Sequence, residues 1–269
     1  MAGALTPGLE STLAAVPAGE GVIVDCDPQL MEAAVFAVIR GGPDERTYQA
    51  ARERCYDVCD LESRDRAFAE LNEEWFVRLH LARPVFEALA ERPSVVRSTS
   101  RRILAPGMRR QDESAELYGR SKAASIGVDD AKPFLVIRIR PDSFKSPAHI
   151  LNLLRHELMH IADMLNPDFG YDASPSQFHD DTGVPTAIRD RYRILWDIHI
   201  DARLHREGRA TMDVRARRFS EFSRSFVMLG SRLTPAFNAV FDAESFTHGN
   251  LIAFARRPFA LLEHACLPT

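Results

Sequence analysis

The chain has 269 residues, 45% of them hydrophobic, and a formal net charge of −4. That is ample apolar material for one or two domains with a core. The mild acidic balance speaks against a dedicated nucleic-acid binder. No apolar run approaches the ~18 residues of a membrane span, and four cysteines are too few for a disulfide framework.

Residues 1–20 are small and carry Pro and Gly, and they read as a loosely ordered lead-in. They lack a basic region followed by an apolar stretch, so no signal peptide is expected and a cytoplasmic setting is. Val22-Ile23-Val24 suits a short strand. Leu30, Met31, Ala34, Val35, Val38 and Ile39 then recur at helical spacing, and Gly41-Gly42-Pro43 ends that helix. A second helix is expected over 44–60. A third runs from Arg64 to Arg83, with Phe68, Leu71, Trp75, Phe76 and Leu79 on its apolar face. Pro84 interrupts it, and Val85 to Leu89 resumes. Residues 21–92 are therefore expected to form a helical N-terminal subdomain. Cys55 and Cys59 lie one helical turn apart with no second Cys or His pair nearby, which reads as small packed side chains. Cys26 and Cys266 are isolated.

The character changes over 93–141. Ser94 to Arg97, Arg102 to Leu104 and Glu116 to Gly119 suggest extended chain. Phe134 to Arg140 is the strongest strand, with Leu135, Ile137 and Ile139 alternating against Val136, Arg138 and Arg140. A helix follows. Ser146 is a natural N-cap, Pro147 a natural first residue, and Asn166-Pro167 a stop. Ile150, Leu154, Leu158, Ile161 and Leu165 form its apolar stripe. Inside it stands His156-Glu157-Leu158-Met159-His160. Histidines at i and i+4 share one face with Cβ atoms about 5–6 Å apart, so both imidazoles reach one zinc ion. Glu157, directly after the first histidine, reaches a water on that zinc and can take its proton.

This His-Glu-x-x-His segment resembles the zincin metallopeptidases. The order of a sheet followed by this helix is similar to their upper subdomain. The resemblance implies a strand beside the cleft to which a peptide adds through main-chain hydrogen bonds, and the Phe134–Arg140 strand or a neighbour would play that part. A metzincin arrangement does not fit, because Ile161 to Leu165 holds no glycine and no histidine follows at the required spacing. The gluzincin branch takes its third ligand from a later helix, a glutamate with an aspartate four residues on. Here that helix carries Asp197 and Asp201, so aspartate replaces the family's glutamate.

The third ligand has several sources. Asp163 shares the face of the histidines but lies too far along one straight helix to converge with both. It suits support of an imidazole from behind. His179 stands in the loop 168–187 with Asp180 and Asp181. Analogy favours Asp197, whereas the neighbours Ile194, Ile198 and Leu204 make Asp201 the carboxylate in greater need of a cation. The expectation is Asp201 as ligand beside His156 and His160, with Asp197 orienting an imidazole. His199 faces about 200° away on that helix and cannot share the site. Tyr171, His179 and His199 are the candidates for stabilising an oxyanion.

His205, Arg206, Arg209, Arg215, Arg217 and Arg218 then make a basic stretch that reads as a solvated face. Phe219, Phe222, Phe226, Phe237, Phe241, Phe246 and Phe254 suit two or three packed helices. The expected fold is α+β and mostly helical: a small zincin-like sheet and the histidine helix over 93–207, a helical N-terminal flank, and a helical C-terminal subdomain over 208–269. The expected function is that of a zinc metallopeptidase with Glu157 as general base toward a zinc-bound water, acting on a peptide or protein substrate. The alternative is a zinc-binding regulatory or interaction module without turnover.

Overall fold

In a computed structural model, residues 14–17, 22–119, 132–174 and 185–265 are described. The protein is α+β and mostly helical, with a small mixed sheet and helical flanks. Among the described residues no helix is long and apolar enough to cross a membrane. The chain divides into two compact units, 1–161 and 162–269, and the division falls inside one helix.

In the first unit, β1 (Ala14–Pro17) pairs antiparallel with β2 (Ile23–Cys26). β2 pairs parallel with β3 (Arg102–Pro106), and β3 parallel with β5 (Phe134–Ile139). β4 (Ser114–Tyr118) pairs antiparallel with β5 and is an outer strand, so the order is β1-β2-β3-β5-β4. The strand that the sequence marks most strongly, β5, is thus interior. Phe134 and Val136 are buried along with Leu135, Ile137 and Ile139, so both of its faces are covered rather than one.

Asp27 starts α1 (Pro28–Ile39), its carboxylate accepting the N–H groups of Gln29 and Leu30. α1 packs on β3, on the 3-10 turn at Pro141–Lys145 and on α3 (Leu61–Arg78). α2 (Glu45–Tyr56) joins α3 through Tyr48, whose hydroxyl donates to Asn72 at 2.6 Å and whose ring meets Phe36 and Trp75 edge-on. The helices of 28–90 therefore belong with the sheet and are not a subdomain apart. α4 (Arg83–Ala90) begins with Pro84 in its first turn. Ser94 to Arg97, expected to be extended, lie in a short helix, α5 (Pro93–Ser98): Pro93 suits a helix start and Val95 is buried from one helical face.

α6 (Pro147–Leu165) is the helix that the division cuts. Ile150, Leu154, Leu158 and Ile161 are fully buried, as its stripe requires. Arg155 anchors it in the first unit by two bonds to Glu91, at 2.9 and 2.7 Å. In the second unit α7 (Pro185–Arg206) packs against α8 (Val214–Ser225), α9 (Leu233–Phe241) and α10 (His248–Arg256), and α9 packs on α11 (Ala260–Ala265). Phe222, Phe226, Phe237 and Phe241 pack within this core, Phe222 stacked on Phe226 and edge-on to Phe237, as the aromatic spacing leads one to expect.

Candidate metal centre

α6 carries His156, Glu157 and His160 in consecutive turns, all half-buried. The two imidazole Nε2 atoms lie 3.2 Å apart, with the rings at 74°. Two nitrogens held about 2.0–2.1 Å from one tetrahedral zinc would stand about 3.3 Å apart. The helix alone thus brings two nitrogens to the separation that a shared ion requires.

Two neutral imidazoles are donors that zinc accepts, beside a third protein ligand and a position open to water. The chemistry of these two donors and their spacing both fit the ion.

Asp201, the residue expected as the third ligand, has a cation of another kind. Asp201 is buried, but its Oδ2 accepts the Arg218 Nε–H at 2.6 Å and an Arg217 N–H at 3.2 Å. The expectation that a buried Asp201 needs a cation is sound physics. The cation is a guanidinium from the next helix. Arg218 also reaches Asp197 Oδ2 at 3.4 Å and Glu221 at 2.5 Å. Burial works against its charge, but Asp201 and Asp197 outweigh burial and raise the pKa of this arginine further. The basic stretch is therefore not wholly a solvated face. Nothing in its sequence marks which of its arginines turns inward.

Among the described residues, Asp163 supports no imidazole from behind. It is buried and accepts Trp196 Nε1–H at 2.8 Å and two Arg203 N–H groups, at 2.8 and 2.5 Å. Those partners sit two turns apart on α7, on one face, so they hold α7 in register with the last turn of α6. Trp196 directly precedes Asp197. Its spacing from Arg203 was the available signal for this contact, but it named no partner.

His199 is buried. Its Nε2 accepts the Phe246 N–H at 3.3 Å. Tyr171 stacks beside Trp196 and meets His248 edge-on, while His179 lies outside the described residues.

Glu157 has a partner from the sheet. The Ala115 N–H on β4 points to its Oε2 at 3.4 Å. β4 uses one side to pair with β5, so alternate residues turn their amide groups to the free side. The start of β4 is tied to the approach to α6 by buried Glu113, which accepts the Ser143 hydroxyl at 2.5 Å and the Arg140 N–H at 3.2 Å. Burial pushes the Glu113 pKa up, yet these donors and the Arg140 charge win and hold it below the usual carboxylate range. Comparison with protein-family models, with curated proteins and with solved structures returns no match.

Proposed function

We propose that this protein is a zinc-dependent metallopeptidase of the zincin type. The observation that supports it most is the pair of Nε2 atoms of His156 and His160, 3.2 Å apart, with Glu157 on the same helix facing an outer strand of the sheet. His156 and His160 would hold the ion. Zinc bound there would lower the pKa of a coordinated water toward neutrality and polarise a carbonyl.

The chain's own residues do the rest. Glu157 takes the proton of the attacking water on a carboxylate oxygen and passes it to the departing amine nitrogen. The free side of β4 at Ala115 and Leu117 takes an extended peptide by main-chain hydrogen bonds, which reads backbone and demands little of side chains. A substrate strand added there competes with Glu157 for the Ala115 N–H.

The test uses full-length protein prepared without a histidine tag. It should bind about one zinc, digest members of a peptide library, and stop when a chelator removes the metal. Glu157→Gln should retain zinc and fold while losing roughly 10²–10⁴ in rate. Protein that binds no zinc even after its addition overturns the proposal. Protein that binds zinc, cleaves nothing in the library and works as well after the Glu157→Gln substitution as before it is a binding module instead.

A further inference from the structure

We infer that Glu113 is a positioning residue for the reaction: it fixes the height of β4 along α6, and with it the place of a docked peptide against Glu157, a role that rests on the metallopeptidase reading above. All the residues concerned lie in the first compact unit. β4 is an outer strand, so β5 holds it from one side only. That pairing sets its register in the sheet, with Ala115 opposite Ile137, but leaves open its distance from α6. A tie from strand to helix has to set that distance, and Glu113 supplies it.

Glu113 stands directly before β4 with its backbone already extended. Its side chain therefore points to the same side as that of Ala115, two residues on. The Glu113 side chain is only 2% exposed. Its Oε1 accepts the Ser143 hydroxyl at 2.5 Å and the Arg140 N–H at 3.2 Å. Its Oε2 meets Arg140 Nε at 3.4 Å and His149 Nε2 at 3.6 Å. Arg140 Nη2 donates in turn to Ser143 Oγ at 3.2 Å. Arg140 follows β5, Ser143 lies in the 3-10 turn, and His149 is in the first turn of α6. One carboxylate thus holds the whole connection from β5 to α6. The Ala115 N–H meets Glu157 Oε2 at 3.4 Å, a level about 12 Å further along α6 than His149. The strand is tied to the helix at both levels, and the buried, charge-assisted tie is the stronger. The weaker one, at Glu157, is the one a substrate displaces. A peptide carbonyl that takes the Ala115 N–H arrives beside the general base. Without Glu113 a peptide still docks on β4, but out of place against Glu157, and a displacement of about 1 Å can cost about 100-fold in rate.

The first readout is the split between kcat and KM on a peptide that wild type cleaves. Glu113→Ala should lower kcat about 100-fold, with KM and zinc affinity little changed. Glu113→Gln, whose amide oxygen still accepts from Ser143 and Arg140, should recover most of that loss. Ser143→Ala should lower kcat by less, and it carries the test with Glu113→Gln if Glu113→Ala does not fold. Lys145→Ala is the control, since Lys145 binds exposed Asp142 in the same 3-10 turn, and it should leave kcat unchanged. The second readout needs neither metal nor substrate. In metal-free full-length protein the Ala115 N–H should exchange about tenfold faster after Glu113→Ala, the worth of about one net hydrogen bond. The Leu135 N–H, which donates to Arg101, should keep its rate. A merely structural Glu113 would lower the urea midpoint and leave kcat and Ala115 exchange in folded protein alone, which overturns the inference, as does a raised KM with kcat unchanged. Wild-type protein that cleaves nothing overturns the metallopeptidase reading and this role together. Cleavage by wild type with a kcat indifferent to Glu113 overturns this one alone.

Discussion

His199 shows how one buried side chain sets a pH response. It is 1% exposed, and its Nε2 accepts the Phe246 N–H, so the neutral ring carries its proton on Nδ1. That Nδ1 has no hydrogen-bond partner among the described residues. Burial above all, with the nearby Arg203 charge, pulls the pKa from 6.5 down to about 4. Between those two values the unfolded chain binds a proton that the folded chain refuses. Stability therefore falls as pH drops through that window and levels off below it. The full difference is worth about 3 kcal/mol. His199→Gln places an amide that can still accept the Phe246 N–H but does not titrate. Urea midpoints at several pH values across the window should fall steeply in wild type and much less in this variant. Equal slopes would assign the acid sensitivity to other groups.

At the scale of elements, the contact that matters most is the one between the end of α6 and the middle of α7. Asp163 is buried on the last turn of α6, where Trp196 and Arg203 supply three N–H donors. A carboxylate in such a place is stable only with its partners, and stripping one side leaves buried groups unpaired. Asp163→Ala should cost about 3–5 kcal/mol of unfolding free energy in urea. Asp163→Asn keeps one acceptor oxygen for Trp196 and should cost less. An Asp163→Ala protein as stable as wild type would show that packing alone holds α7. β4 illustrates a different element-level effect. Glu113 pins its first residues and Ala115 turns an amide to Glu157, so an outer strand of only Ser114–Tyr118 meets the helix that carries the two histidines.

Over the whole molecule, zinc bound at the proposed site would link metal binding to folding, because the folded α6 holds the two imidazole nitrogens 3.2 Å apart. Zinc at about 100 times its Kd should add about 2.7 kcal/mol to stability, and a chelator should remove it. A thermal scan should show the rise in wild type and little of it in His156→Ala; an equal rise in both would place the zinc elsewhere. The amino-acid sequence by itself determined what depends on neighbours along the chain. Pro147 and Pro167 bound α6, its apolar stripe buries one face, and the four-residue spacing brings His156 and His160 together with Glu157 alongside. These follow from helix geometry, which is local and periodic. Only the tertiary structure decided that β4 rather than β5 is the outer strand, that Pro93–Ser98 is helical, and that Arg218 meets the charge of Asp201. Periodicity identifies a buried carboxylate but not its counter-charge. The counter-charge of Asp201 is Arg218, 17 residues further on and on another helix, and it is set by how helices pack and not by any spacing within one.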